Sequence, residues 1–228
     1  MILPNTILIW YKEDLMKTLI ITFFILVNIL NATTTIFGEE SFNRATQALK
    51  TQDYEKAILN FQESANQSNP YSQYYLGFMY QNGIGVDESN EVARFWFTKS
   101  ANQGNMDAQF NLFWMYYSGK GTSKDFRKAV YWLKNSASLG NRFAQYNLFS
   151  LYYSGHILFK DHKKAFYWVE KSAAQGYVEA QYSLALMYLR AEGVPRDMHK
   201  ARFWIQKAVN LGHKGSKELM AKHKLWKF

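Results

Sequence analysis

The sequence predicts an all-α protein built from stacked helix-turn-helix repeats with a 36-residue period. Three observations carry that expectation. Four segments, 72–107, 108–143, 144–179 and 180–215, align with one another without a gap, and self-similarity at a fixed period is the signature of a repeat architecture. Five columns recur at fixed offsets: Leu76, Leu112, Leu148, Leu184; Tyr80, Tyr116, Tyr152, Tyr188; Ala93, Ala129, Ala165, Ala201; Trp96, Trp132, Trp168, Trp204; Gly104, Gly140, Gly176, Gly212. Within each repeat the apolar residues follow a helical period and are interrupted by glycines. Composition agrees: 48% apolar and 20% charged residues with 3 Pro and 13 Gly exclude disordered, collagen-like and low-complexity chains.

From the N-terminus, residues 1–15 fit badly ahead of a signal-like segment and read as an upstream extension from a mis-assigned start, with Met16 as the true one. Residues 16–32 read as a signal peptide: Met16-Lys17, the uncharged run Thr18–Leu30, then Asn31-Ala32-Thr33 with cleavage after Ala32. The run is shorter than the ~20 residues of a comfortable transmembrane helix. An uncleaved anchor and a buried core helix are the alternatives, in that order. The chain has no cysteine, which excludes a lipoprotein anchor, disulfides and thiol chemistry. The expected location is therefore exported, periplasmic or secreted, or anchored if the segment stays attached; once it is cleaved, no membrane span remains.

Residues 33–71 are expected to form an N-terminal capping helix pair that resembles a tetratricopeptide hairpin, with its turn at Thr51–Asp53. Its Ala57 and Ser64-Ala65 fall 36 residues before Ala93 and Ser100-Ala101. In each subsequent repeat the first helix runs from about its Ser or Ala opening (Ser72, Ala108, Ala144, Ala180) to the Tyr80 column and stops at glycines such as Gly83, Gly85, Gly119 and Gly121. The second helix starts at Ser89, Asp125, Asp161 or Asp197, whose side chains can accept from free backbone N–H groups, and ends at the Gly104 column. The lysine-rich segment 216–228 is expected to be a C-terminal capping helix, because the last apolar face of a stack needs a cover.

Charge narrows the partners. The net charge is +9, distributed as 5 basic and 9 acidic groups over 33–107 against 20 and 7 over 108–228. Basic charge suits nucleic acid, anionic lipid or acidic protein; the bipolar distribution argues against nucleic acid. Arg127, Lys128, Lys160, Lys163, Lys164, Lys200 and Arg202 cluster at the starts of second helices and are expected to form a basic edge, a solvated face or a contact for an acidic partner or anionic membrane. The five histidines lack metal-ligand spacing, and no nucleophile, phosphate-loop or dinucleotide motif occurs. Gly83-Ile84-Gly85 recurs as Gly119 and Gly121, so it is repeat punctuation. No catalytic residue, metal or cofactor is expected.

These columns resemble the Sel-like repeat (SLR) family, relatives of the tetratricopeptide repeat, closely over 72–215 and loosely over 41–66. Departures are Phe113, Phe149 and Ala185 where the first repeat keeps Gly77, and Ile157 and Ala191 at loop glycines. Helix approach is expected to loosen there, with rings filling the gap. The resemblance implies a right-handed α-solenoid acting as a protein-interaction adaptor, and many exported bacterial members look like host-contact or envelope-assembly factors. By the same analogy the first helices line a concave face.

The 40 aromatic residues, 18% of the chain, then divide. The Trp and Tyr columns belong to the core. The groove would be lined by Tyr74, Phe110, Tyr146 and Tyr182, by Phe78, Trp114, Ser150 and Leu186, by Gln81, Tyr117, Tyr153 and Leu189, and by Asn82, Ser118, Ser154 and Arg190. The third-position rings Tyr74, Phe110, Tyr146 and Tyr182 fit equally well as packing against the preceding repeat. The expected function is a non-catalytic adaptor for a protein or extended peptide. Binding of peptidoglycan or another anionic surface is the main alternative. A β-lactam hydrolase, as assigned to cysteine-rich members, is disfavoured by the missing cysteines and missing S-x-x-K motif.

Overall fold

The computed structural model describes residues 21–27 and 38–223; among them all regular structure is helical. The expected extension 1–15 lies outside the described residues, and of the expected signal segment only 21–27 is described, as exposed helix. Among the described residues no helix is long and apolar enough to cross a membrane. The chain divides into two compact units, residues 1–76 and 77–228.

The first unit holds α1 (38–50), α2 (Tyr54–Asn66) and the start of α3 (Pro70–Asn82). Asp53 caps α2 by accepting from the Lys56 N–H at 3.2 Å. Its core is small: Ala45, Ala57, Phe61, Ser64, Ser72 and Leu76 are fully buried, or nearly so. Tyr75 stacks on Phe61 at 5.0 Å. The buried serines satisfy each other, since the Ser72 hydroxyl donates to that of Ser64 at 2.7 Å, which itself donates to the Gly38 carbonyl.

The second unit continues with the rest of α3, then α4 (Asn90–Asn102), α5 (Met106–Ser118), α6 (Phe126–Ser138), α7 (Arg142–Ser154), α8 (His162–Ala174), α9 (Val178–Arg190), α10 (Met198–Asn210) and α11 (Lys214–Lys222). From α4 to α10 each helix is 13 residues long, and starts recur every 36 residues, as at Met106, Arg142, Val178 and Lys214. From α4 to α11 consecutive helices pack against each other. The first helices start two residues earlier than the sequence columns suggest. Asn105 and Asn141 set the starts of α5 and α7: each side-chain oxygen accepts from two backbone N–H groups at 2.9–3.0 Å. Residues 224–228 of the expected final cap lie outside the described residues; α11 covers the part before them.

The Leu76, Ala93 and Phe97 columns are the deepest layer: Leu112, Leu148, Leu184, Ala165, Ala201, Leu133, Val169 and Ile205 are all 0% exposed. The Trp column, expected to form the core, is only half-buried. The fully buried side chain is the one immediately after each Trp, while Trp168 and Trp204 pack against the core from its margin. Gly77 is required where Phe97 sits, because a Cβ there would lie 2.6 Å from the Phe97 ring. In later repeats the column facing that way is Leu133, Val169 and Ile205, smaller side chains that leave room for Phe113, Phe149 and Ala185.

Each loop closes through the Tyr column. The N–H groups of Ser89, Asp125, Asp161 and Asp197 donate to the carbonyls of Tyr80, Tyr116, Tyr152 and Tyr188 at 2.9–3.2 Å. The same four residues cap their second helices, as the sequence suggests, accepting from the Val92, Lys128, Lys164 and Lys200 N–H groups. The capping lysines fold back so that Lys128, Lys164 and Lys200 place their ammonium groups 5.4–5.5 Å from the Tyr116, Tyr152 and Tyr188 rings.

The backbone N–H bonds from Lys128 and Lys164 hold the Asp125 and Asp161 carboxyls below the ordinary value of 3.8. A carboxyl with a depressed folded pKa stabilises the fold above its unfolded pKa, and that contribution is lost as pH falls through the folded value. Asn at these positions keeps the cap without the charge. We therefore expect the Asp125→Asn/Asp161→Asn variant to lose less of its Tm than the wild type between about pH 5 and about pH 2, measured by circular dichroism; equal losses would contradict the assignment.

Candidate functional site

The rings that the sequence places in a groove lie on the first helices. In the first unit Tyr74 is half-buried and meets Tyr75 edge-on at 5.6 Å. In the second unit Phe78 is 40% exposed and Trp114 43% exposed, whereas Phe110, Tyr117, Tyr146, Tyr153 and Tyr182 are half-buried and Arg190 is exposed.

The α5 rings form one cluster. Phe113, almost completely buried, is its base. Trp114 lies 4.9 Å and Tyr117 5.5 Å from it, and Phe110 stacks on it at 5.9 Å. Trp114 and Tyr117 meet edge-to-face at 5.6 Å, and Tyr117 continues to Phe126 at the start of α6. Phe110 reaches the next repeat by stacking on Phe143 at 6.3 Å. Helical spacing produces this: positions three and four apart share a face, so 110, 113, 114 and 117 must line up.

The α7 rings are tied more tightly to their neighbours. Tyr146 contacts Phe149 at 5.3 Å and Tyr177 at 5.0 Å, with its hydroxyl 3.4 Å from that of Ser183. Tyr177 starts α9 without a side-chain cap, unlike Asn105 and Asn141; its ring closes the gap against Phe143 instead, at 5.3 Å. Tyr153 stacks on His162 at 5.3 Å and donates to the Glu192 carboxylate at 3.0 Å, while Arg190 donates to the Tyr153 oxygen at 3.4 Å. Burial, reinforced by Glu192, pushes the Tyr153 phenol above its usual pKa. At the far end of the repeats Tyr182 packs on His213 at 4.6 Å. Tyr182 and Arg190, with Leu186, Leu189, Glu218 and Lys222, border a cavity of about 310 Å³.

Of the polar positions beside the rings, the side chains of Asn82 and Ser118 donate to the carbonyls of Phe78 and Trp114 four residues earlier, both at 2.7 Å. They cap their own helices. Leu189 is 7% exposed and belongs to the core.

One ring column escapes the sequence reading. Phe95, Tyr131, Tyr167 and Phe203 are 50%, 58%, 49% and 52% exposed. Each meets the adjacent Trp edge-on at 4.9–5.1 Å. Lys99, Lys171 and Lys207 lie 4.7–4.9 Å over three of these rings, a cation–π contact made four residues along each helix. An aromatic residue before every repeated Trp was the available signal. Among the described residues no group of His, Asp and Glu is arranged to hold a metal ion.

The Sel1 repeat pattern matches residues 48–69, 70–105, 107–141, 142–177 and 178–213. The structure of a Sel1 repeat protein from Oxalobacter formigenes is similar at 37% identity and a TM-score of 0.72, over 74% of this chain and 49% of that one. That of a protective antigen present in uropathogenic Escherichia coli, which displays an SLR fold, is similar at 26% identity and a TM-score of 0.72, over 82% of this chain and 39% of that one. The chain thus spans half or less of the length of these two proteins. A comparison with curated proteins finds no significant match.

Proposed function

This chain belongs to the Sel1-repeat family, and we propose that it is an exported, non-catalytic scaffold that captures another protein through the rings of its first helices. Sel1 repeats are protein-interaction modules, which supports the general role. The observation that carries the specific reading is the α5 cluster: Trp114 and Tyr117 rest on a buried Phe113, yet Trp114 keeps 43% of its surface in water. Rings held rigid but incompletely covered bind with little ordering cost, and aromatic anchors dominate interface energetics. An extended or helical peptide laid across successive first helices of the second unit meets Phe78, Phe110, Trp114, Tyr117, Tyr146 and Tyr153 in turn, with Tyr182 and Arg190 at the last repeat. Tyr74 offers a ring of the same kind in the first unit. Display of preformed rings is the whole mechanism; no proton or group transfer is required of any residue.

The test is affinity capture with the chain as bait, comparing wild type with Trp114→Ala/Tyr117→Ala. We expect the captured partner to be lost by about tenfold or more while the melting temperature stays nearly unchanged. Retention of every partner contradicts the proposal, and a large fall in melting temperature reassigns the two rings to the core. Export rests on the apolar run Thr18–Leu30 and its small-residue exit. Mass spectrometry of the protein recovered outside the cytoplasm should find a mature chain beginning after Ala32; recovery only from the cytoplasm with residues 18–30 attached contradicts export.

A further inference from the structure

The loop between α7 and α8 departs from its siblings in a way that gives it a separate role. In the other repeats the third loop position is glycine: Gly85, Gly121 and Gly193, with φ of 69°, 65° and 73°. A side chain is excluded there, because a Cβ on Gly121 would collide with the Asn90 carbonyl and one on Gly193 with the His162 carbonyl. These glycines press the loop against the start of the preceding second helix, and the Gly121 carbonyl accepts from Arg94 at 3.0 Å. The third repeat has Ile157 instead. Ile157 is not among the non-glycine residues with positive φ. Ile157 and Leu158 border, with Phe126, Arg127 and Val130, an open cleft of about 320 Å³. The next residue, Phe159, is 97% exposed; its siblings are Asp87, Ser123 and Pro195.

The surroundings are cationic. Lys160, Lys163 and Lys164 come within the next five residues, and Arg127 and Lys128 stand at the start of α6; all five are exposed. The acidic residues at these two helix starts are the caps Asp125 and Asp161, each already paired with its own lysine, Lys128 at 3.6 Å and Lys164 at 3.2 Å.

We propose that Ile157-Leu158-Phe159 is an apolar finger that enters the headgroup region of an anionic lipid bilayer, with Arg127, Lys128, Lys160, Lys163 and Lys164 holding the surface. Three features select a bilayer over an acidic protein. The finger carries no side-chain polar atom for directional recognition. Its tip is free of packing on every side, as insertion into a fluid needs and docking into a shaped pocket does not. The cations sit on long stems around an apolar centre, the arrangement by which peripheral proteins combine apolar burial with attraction to anionic headgroups. This surface adjoins the first-helix rings at Phe126, which also meets Tyr117 at 5.7 Å, while the Phe159 tip stands in solvent.

Because the chain has no cysteine, Phe159→Cys gives a single attachment point for an environment-sensitive fluorophore in the full chain. With phosphatidylcholine vesicles containing phosphatidylglycerol, the emission should shift to the blue and be quenched by spin-labelled lipid. With pure phosphatidylcholine, or in high salt, it should not. The same label at Ser123→Cys, the equivalent position one repeat earlier, should stay in water in every case. In unlabelled protein Phe159→Ser should lower partitioning into anionic vesicles about tenfold with an unchanged melting temperature. A label at 159 that remains in water on anionic vesicles overturns the proposal even if the chain binds them, since binding would then come from another segment. Equal partitioning of Phe159→Ser and wild type overturns it as well.

Discussion

One carbonyl per repeat carries the junction to the next. At the end of each second helix the carbonyl of Ala101, Ala137 or Ala173 accepts from the N–H of Gly104, Gly140 or Gly176 at 3.0–3.1 Å. The same oxygen accepts from the side-chain amide of Gln109, Gln145 or Gln181, on the first helix of the next repeat, at 3.0–3.4 Å. Both lone pairs are thus used, one by a glycine whose φ of 82–104° aims its N–H backwards and one by a glutamine that is at most 5% exposed. A buried carbonyl left without a partner is costly, so the two bonds fix where the next first helix starts. The buried serines tie each second helix back to the start of its own first helix, from the Ser136 hydroxyl to the Met106 carbonyl and from Ser172 to Arg142, at 2.7–2.8 Å. With the junction fixed, helical spacing sets which face each first-helix residue occupies, and the neighbouring repeat's side chains decide how much of it stays in water.

The junction also separates two kinds of surface. Counted with their caps, the second helices α4, α6, α8 and α10 carry eleven lysines and arginines against five acidic residues, whereas α5, α7 and α9 carry Asp107, Glu179, Arg142 and Arg190 and balance. Much of the excess positive charge of residues 108–228 sits on the second helices and the loops before them, and the lysines of 214–227 supply most of the remainder. In the proposed function, capture by rings falls to the first helices, whose charges balance. The proposed attraction to an anionic surface falls to the second-helix starts, next to the exposed Phe159.

Much of the architecture was legible because it depends on side-chain identity at a fixed period. Leu, Ala and Gly recur where only a close approach or a left-handed backbone will serve, and Asp recurs where a helix needs a cap. The parts that escaped are those where the physical demand tolerates different letters. The deepest second-helix slot is filled by Phe97, Leu133, Val169 and Ile205, which share apolarity and nothing else, so the unvarying Trp beside it drew the core assignment. The glutamine column is a constant letter, but an amide in an amphipathic helix signals nothing until its acceptor on another helix is known. The first helices start two residues before the repeated columns because the caps lie outside them and vary in letter, Asn105 and Asn141 giving way to Tyr177, which has no side-chain cap bond. The candidate rings were found by register, yet register cannot divide a ring's surface between neighbour and solvent: Tyr146 and Trp114 occupy first-helix faces alike, and only the structure shows Tyr146 covered by Tyr177.

The central claim is that repeat geometry leaves the first-helix rings as the capturing surface. Side-chain oxidative footprinting of the chain, alone and with a captured partner, tests it most directly. Protection concentrated at Phe78, Trp114 and Tyr117, with Phe95, Tyr131, Tyr167 and Phe203 unchanged, is the result the account predicts. Protection of that second-helix column with the first-helix rings left reactive would contradict it.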